Sequence, residues 1–195
     1  MAYIGLKHPV FAPETTYVPG TGVTYSSGSV IDMACSCNLE ITHADAKLNA
    51  DDVVAETYNG ATGGTIEFEF RHLPLADRKT LLGWRENKES TTITSYSETD
   101  QPGPYGGFGF IRTVQRNNAV IYEATWLHRV QFALSSEETN NKGENVEFQT
   151  AKVTGSILPI YPDATGVAVV RDVMEFDTYA AALTWLNASG RGNIT

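Results

Sequence analysis

The longest regular pattern in the chain covers residues 119–134, where apolar and polar side chains alternate. Of the seven even positions from 120 to 132, six are apolar, whereas the odd positions include Glu123, Thr125, Arg129 and Gln131. A period of two over this length is typical of a β-strand with one buried face. Two asparagines precede it and suit a tight hairpin turn, so residues 108–114 are predicted to be its antiparallel partner.

The same alternation predicts further strands on both sides of this hairpin. The odd positions from 31 to 41 are apolar, which places Cys35 and Cys37 on a buried face, and residues 65–71 alternate between Ile66, Phe68, Phe70 and outward charges. Shorter strands are predicted at 91–96, 144–150 and 152–157. Helical patterns appear at 74–84 and at about 178–188, where Asp177 or Thr178 can cap the helix.

These elements predict a single domain of mainly antiparallel β structure. We expect two packed sheets, as in a sandwich or split barrel, with one flanking α-helix. An N-terminal segment, expected to be an arm or an edge strand, would cover residues 1–12, the core 13–160, and a C-terminal segment with a short helix 161–195.

One connection, residues 43–60, is too long for a hairpin turn. Loops beyond about 12 residues are usually functional or disordered. This one contains four larger apolar residues, Leu48, Val53, Val54 and Tyr58. We therefore predict a loop that is mobile in the free subunit and becomes ordered on binding a partner.

Composition narrows the possible functions. The chain has 195 residues with a formal net charge of −9, which disfavours proteins that bind nucleic acid by neutralising phosphates. No run of about 18 apolar residues predicts a membrane span, and the first residues do not resemble a signal peptide. The two cysteines are interpreted as free thiols formed in a reducing cytoplasm.

No residue pattern predicts catalysis, a metal site or a cofactor. The four histidines lack the spacing of metal ligands, and His128 is interpreted as a core or interface residue. The glycines of residues 103–109 lead into a strand rather than a helix, so a phosphate loop is disfavoured. Asp51, Asp52 and Glu56 lack the glycine of a calcium loop. The chain is therefore expected not to be an enzyme, although a site assembled across the fold stays open.

Several segments together resemble the major tail proteins of long, non-contractile-tailed bacteriophages. They are Ile4-Gly5-Leu6-Lys7, the stretch from Ala44 to Glu56, the region 107–132, and Phe148-Gln149-Thr150 followed by Gly155-Ser156-Ile157. The similarity lies in their order and spacing over residues 1–160. Residues 85–105 and 163–195 depart from the pattern.

This resemblance implies a structural virion protein of the phage tail, made in the host cytoplasm. Six subunits would form a ring with a continuous inner β-barrel, and stacked rings would form the tail tube for DNA delivery. The expected partners are other copies of the chain, the tape-measure protein, and the tail terminator and distal tail proteins; DNA passes through without being bound. The expected intersubunit contacts are Ile4, Leu6, Lys47, Leu48, Asp51, Asp52, Val53, Val54, Glu56 and Tyr58.

The wall of such a tube should repel DNA. A ring of six subunits would carry 6 × −9 = −54 charges, and carboxylates facing the bore would keep the phosphates from sticking. The candidates are the outward-facing pairs Glu67 with Glu69 and Glu144 with Glu147, of which at least one is expected to line the bore.

Two other functions remain open at this point. One is the tube protein of a contractile or secretion-type injection machine. The other is a carbohydrate-binding or enzymatic β-sandwich, which exposed aromatic side chains such as Trp84 and Tyr105 would favour.

Overall fold

A computed structural model describes residues 2–50, 53–90, 93–117, 119–137 and 150–194. The fold is mainly β, and every strand pairing is antiparallel. The strands are β1 Ala2–Val18, β2 Gly22–Tyr25, β3 Ser29–Val30, β4 Ala34–Ala50, β5 Val53–Phe70, β6 Arg85–Lys88, β7 Thr94–Ser97, β8 Tyr105–Arg116, β9 Ala119–Glu137, β10 Ala151–Ile157 and β11 Arg171–Phe176. Two helices, α1 Leu75–Leu82 and α2 Tyr179–Leu186, and a 3-10 turn at Ser189–Arg191 complete the described elements.

Nine strands form one large sheet, and β6 with β7 forms a separate ribbon. The order across the large sheet is β2-β1-β8-β9-β10-β5-β4, with β3 beside β1 and β11 beside β9. The sheet folds over itself, since the rings of Phe68 on β5 and Phe108 on β8 have centroids 5.1 Å apart although two strands separate them in the sheet. Within the described residues the sheet does not close into a barrel.

The prediction of a mainly antiparallel β protein with two sheets and two helices is confirmed. The arrangement differs from two sheets of similar size, because one sheet supplies both layers of the core and the second has only two strands. The folded sheet encloses the larger core, which is centred on aromatic residues. Its largest fully buried members are Phe11, Phe68, Phe70, Phe108, Phe110 and Phe132.

Both helices cover faces of the large sheet. Leu81 and Leu82 of α1 enter the larger core. Helix α2 covers the opposite face of β8 and β9, where Trp126 packs against Leu186 in a second buried cluster. The side chain of Thr178 accepts a hydrogen bond from the backbone N–H of Ala181 at 3.3 Å, so the predicted cap of α2 is present.

The alternation that predicted β9 does not follow a single face. Gly107 of β8 lies opposite two residues of β9, His128 and Arg129, so a β-bulge interrupts the register. Before the bulge the even position 126 faces α2, and after it the even position 132 faces the larger core. The expectation of one buried face along the whole strand was therefore wrong, because one extra residue exchanges the two faces.

Of the two forms expected for the N-terminal segment, the structure shows the edge strand and not a detached arm. Residues 2–7 and 10–13 both pair with β8, and Val10, Phe11 and Ala12 are fully buried. The irregularity at His8-Pro9 lets Leu6 and Phe11 face the same core although they are five residues apart, and a second irregularity lies at Ile4. The same irregularities remove the period of two from the sequence, which explains why no strand pattern was visible there.

The first residues of β4 also depart from the predicted alternation. The strand begins at Ala34 and its register shifts before Ser36, so that Cys35 is exposed and Cys37 is half-buried. Both cysteines are free, as predicted. Burial raises the pKa of the Cys37 thiol to about 11, so this thiol is protonated at neutral pH.

The stability of the fold should depend on the protonation of His8. Burial lowers the pKa of this imidazole below its ordinary value of 6.5, although a hydrogen bond to Asn187 opposes the shift. The unfolded chain therefore binds a proton more readily, and stability should fall as pH decreases through the interval between the ordinary and the folded pKa. Urea unfolding from about pH 7 to about pH 5 should show this loss in the wild type and a smaller one in His8→Gln. Equal slopes would contradict the assignment to His8.

Candidate assembly surfaces

The large sheet ends in a strand that has one unpaired edge. Strand β4 pairs with β5 on one side, and no described strand pairs with its other side. An unpaired edge presents a row of backbone donors and acceptors to any second strand. Since β4 is 17 residues long, this edge is a large potential surface for association.

A second unpaired edge lies at the start of β1. Strands β2 and β3 pair with β1 only from residue 10 onward, so the outer edge of residues 2–7 faces no described strand. Ile4 is the extra residue of a bulge, and its side chain is 55% exposed. Leu6 instead packs partly against the larger core. Of the two predicted N-terminal contact residues, only Ile4 projects freely from the subunit.

The predicted long loop 43–60 is a two-stranded ribbon. Residues 43–50 of β4 pair with residues 53–61 of β5, whereas β10 pairs with β5 only from Gly64 onward. The loop assignment was wrong because the ribbon carries two register shifts, near 42–43 and 48–49, which disturb the alternation. A two-stranded ribbon without further support is marginally stable in water, so a partner surface would stabilise it.

The predicted contact residues in this region can be placed only in part. The backbones of Lys47, Leu48, Val53, Val54, Glu56 and Tyr58 lie in the two strands of the ribbon. Their side chains, and the whole of Asp51 and Asp52, lie outside the described residues. The contacts assigned to them stay predictions.

The outward face of β4, β5 and β10 is polar, and we call it the polar face. It consists of Ser36, Asn38, Glu40, Thr65, Glu67, Glu69, Lys152, Thr154 and Ser156. Residues that pair across the strands share this face, while Phe68 and Val153 of the same strands point into the core. Three glutamates and one lysine give it a net charge of −3 + 1 = −2.

Glu67 and Glu69 lie at the centre of the polar face, as the alternation predicted. Lys152 Nζ lies 3.1 Å from a carboxylate oxygen of Glu67, and both side chains are more than 40% exposed. The hydroxyls of Thr150 and Ser36 donate hydrogen bonds to Glu69, and they hold the pKa of its carboxyl below the ordinary range. Glu69 is therefore charged at neutral pH. The second predicted pair, Glu144 and Glu147, lies outside the described residues.

A cluster of polar side chains lies where β10 and β11 separate from β9. His128 Nε2 lies 3.2 Å from Asp172 Oδ1, and Arg191 Nη2 lies 3.8 Å from Asp172 Oδ2. Arg191 also stacks on the Trp185 ring, 3.6 Å from its centroid. The close approach of His128, aided by the positive charge of Arg191, lowers the pKa of the Asp172 carboxyl. These contacts fasten residues 171–191 to the sheet, and the sequence did not indicate them because the residues are far apart in the chain.

The described residues contain no group of three or more His, Cys, Asp or Glu side chains that could hold a metal ion. Among the helices that the structure describes, none is long and apolar enough to cross a membrane. Trp84 and Tyr105, the aromatic residues that would support a sugar-binding platform, are both half-buried. Arg78 stacks on Trp84 and Arg129 stacks on Tyr105, so an arginine covers one face of each ring.

No protein-family model matches the sequence, and no curated protein matches it. The unpaired edges, the ribbon and the polar face are therefore the features from which a function has to be argued.

Proposed function

We propose that this chain is a structural subunit that polymerises into the tail tube of a long, non-contractile-tailed bacteriophage. Six copies form a ring, the rings stack, and DNA passes through the bore into the host. The observation that carries the proposal is that the large antiparallel sheet leaves the outer edges of β4 and of residues 2–7 of β1 without a partner among the described strands. The order of the segments that resemble major tail proteins supports it.

The two edges explain why a ring would form. Each edge alone invites uncontrolled pairing, which soluble proteins usually block with charges, short strands or covering elements. When β4 of one copy meets the β1 edge of the next, each contact uses two different surfaces, and a rotation that closes the circle leaves neither edge free. The joined sheets then form a continuous barrel.

The polar face supplies a suitable inner wall. Small hydroxyl and amide side chains occupy most of it, and its net charge of −2 in each subunit would give a ring of six 6 × −2 = −12 charges. Phosphates passing within about one Debye length, roughly 8 Å at physiological salt, would be repelled. The tape-measure protein would occupy the same bore during assembly.

The proposal is tested by the assembly state of the purified protein. Negative-stain microscopy and analytical ultracentrifugation should detect six-membered rings, and at higher concentration tubes with an open bore. A monomer at all concentrations, with no rings or tubes under conditions that favour association, would refute a tube-forming role. Tubes surrounded by a contractile sheath in the parent particle would instead identify a contractile machine.

The charge of the polar face should control the passage of DNA. Reversing Glu67 and Glu69 to lysine should leave tubes intact but slow DNA ejection, because positive side chains release counterions from the phosphates and retain the strand. The delay should shrink as salt concentration rises. The matched control is Glu67→Lys with Lys152→Glu, which reverses the 3.1 Å ion pair without changing the net charge of the face.

Ejection from phage particles that carry these variants can be followed by release of a DNA-binding dye. The control should eject at the wild-type rate. If the double lysine variant also ejects at that rate at low salt, the polar face does not line the bore.

A further inference from the structure

Strand β11 has an outer edge that no described strand covers. Residues 171–176 pair with β9 on one side only, without a break in register. Four of these six residues are exposed, and the exposed fractions of Val173 and Met174 are 44% and 48%. Such an edge offers backbone donors and acceptors to an added strand. It is separate from the edges of β4 and of residues 2–7, which the proposed ring uses.

A pocket lies at the beginning of this edge. Its volume is about 310 Å³, and it is lined by residues 168–171 on one side and by Ile41, His43 and Ala61 on the other. Val170 belongs to the larger core and Ile41 packs against it, so the pocket is an open end of that core. The volume lies at the lower end of the roughly 300–1,000 Å³ of ligand pockets, which suits one apolar side chain better than a large ligand.

The pocket also contains a positive charge without a carboxylate partner. Arg171 lines it, and no described carboxylate forms an ion pair with this guanidinium. Six of the other seven arginines do form such a pair, namely Arg71, Arg78, Arg112, Arg116, Arg129 and Arg191. His43 adds a ring N–H on the opposite wall. In a chain with a net charge of −9, a free arginine beside an apolar pocket favours a ligand that joins a carboxylate to an apolar group.

The direction of β11 determines which end of an added peptide meets the pocket. Every described strand pairing is antiparallel, and an antiparallel strand beside β11 would end next to Arg171. A parallel strand would bring an amino terminus there, which the guanidinium would repel. Arg171 and Val173 lie on the face of β11 that Leu127 shares with the larger core. The last residue of the peptide and the residue two positions before it would therefore face this side.

We propose that β11 and this pocket bind the C-terminal end of another protein as an added antiparallel strand. The bound segment ends in an apolar residue that enters the pocket, its carboxylate binds Arg171, and a second apolar residue two positions earlier packs on Val173. Strand addition of this kind draws affinity from main-chain hydrogen bonds and specificity from alternate side chains. Residues 192–194 of a second copy are not the bound segment, because Ile194 is buried in its own subunit.

Synthetic peptides test the site on the purified protein. The probe is a fluorescein-labelled hexapeptide that ends valine-threonine-valine with a free carboxylate, and its control is the same peptide with a C-terminal amide. Fluorescence polarisation should show about tenfold weaker binding of the amide, because it lacks the charge that Arg171 attracts. A peptide that ends threonine-valine-threonine should also bind more weakly, since its valine faces the wrong side. Equal affinity for the acid and the amide would overturn the proposal.

A substitution at Arg171 tests the carboxylate contact from the side of the protein. Arg171→Gln should weaken binding of the free-carboxylate peptide about tenfold and leave binding of the amide unchanged. Arg85→Gln is the matched control, because Arg85 is also exposed but lies on the separate β6–β7 ribbon. The control should bind both peptides as the wild type does. If Arg171→Gln lost affinity equally for both peptides, the arginine would not contact the carboxylate and the proposal would fail.

Methylation of the peptide backbone tests the addition of a strand. Alternate N–H groups of an antiparallel edge strand point toward its partner. In two further probes the amide nitrogen of either the second-last or the third-last residue is methylated, and only one of the two should lose binding. Equal binding of the two methylated probes would exclude main-chain pairing with β11. Sedimentation of Arg171→Gln should match that of the wild type, so a negative result here leaves the proposed tube function untouched.

Discussion

Trp126→Ala is expected to cost about 3–5 kcal/mol of unfolding free energy, the usual penalty for emptying a large buried aromatic site. Trp126 is fully buried and joins β9 to α2 in the second cluster. Its ring also lies against the backbone of β8, where a Cβ on Gly107 would come within 2.1 Å of it. Because the total stability of a domain is about 5–15 kcal/mol, this one substitution would remove a large fraction of it.

Gly107→Ala should also lower the free energy of unfolding, but for the opposite reason. The added methyl group has no space beside the Trp126 ring. Overpacking of this kind costs about 1–3 kcal/mol. The losses of unfolding free energy in the two variants should not be additive, because removing the ring frees the space that the methyl group needs. Urea unfolding of both single variants and the double variant measures the coupling. Gly190→Ala, where a Cβ would meet nothing within 4 Å, is the control, and strict additivity would contradict the packing.

Ile4→Glu should abolish ring and tube formation while leaving the subunit folded. The side chain of Ile4 already projects into solvent from its bulge, so a carboxylate there should change subunit stability by less than about 0.5 kcal/mol. In an assembled contact the same charge would be buried without a partner, which costs several kcal/mol. Sedimentation velocity and microscopy of the variant would give the assembly state, and circular dichroism its fold.

Ile93→Glu is a closely matched control for this variant. Ile93 is 57% exposed, almost as Ile4 is, but it lies next to the separate β6–β7 ribbon. The Ile93→Glu variant should form rings and tubes as the wild type does. Assembly of Ile4→Glu at the wild-type concentration would exclude residues 2–7 from the contact between copies, and failure of both variants would show a general effect of added charge.

The sequence predicted those strands in which alternation and burial agree. In β5, Ile66, Phe68 and Phe70 are fully buried and Glu67 and Glu69 face outward, because no bulge interrupts the strand there. Both helices were found from their apolar stripes and from the cap at Thr178. The central hairpin was found as well, since its turn and its two strands carry independent signals.

Bulges account for most of what the sequence did not reveal. One extra residue at Ile4 and another at His8-Pro9 concealed β1, and the bulge opposite Gly107 exchanged the faces of β9. A bulge leaves hydrophobic residues in place but shifts their phase, so a fixed period of two cannot follow them. The ribbon formed by residues 43–61 was missed for the same reason. The cluster at His128, where β10 and β11 separate from β9, depends on pairing between segments that are distant in the chain. No local sequence pattern encodes such pairing.

The burial of β1 also fixes the order of events during synthesis. Val10 and Ala12 share a buried cluster with Ile194, and the backbone N–H of Gly28 donates to the carbonyl of Gly192 at 2.8 Å. On the ribosome the first strand must therefore wait for β8 and then for the residues around 192–194 before its packing is complete. The self-assembly that we propose through residues 2–7 therefore cannot begin on a chain whose residues 192–194 are still inside the ribosome.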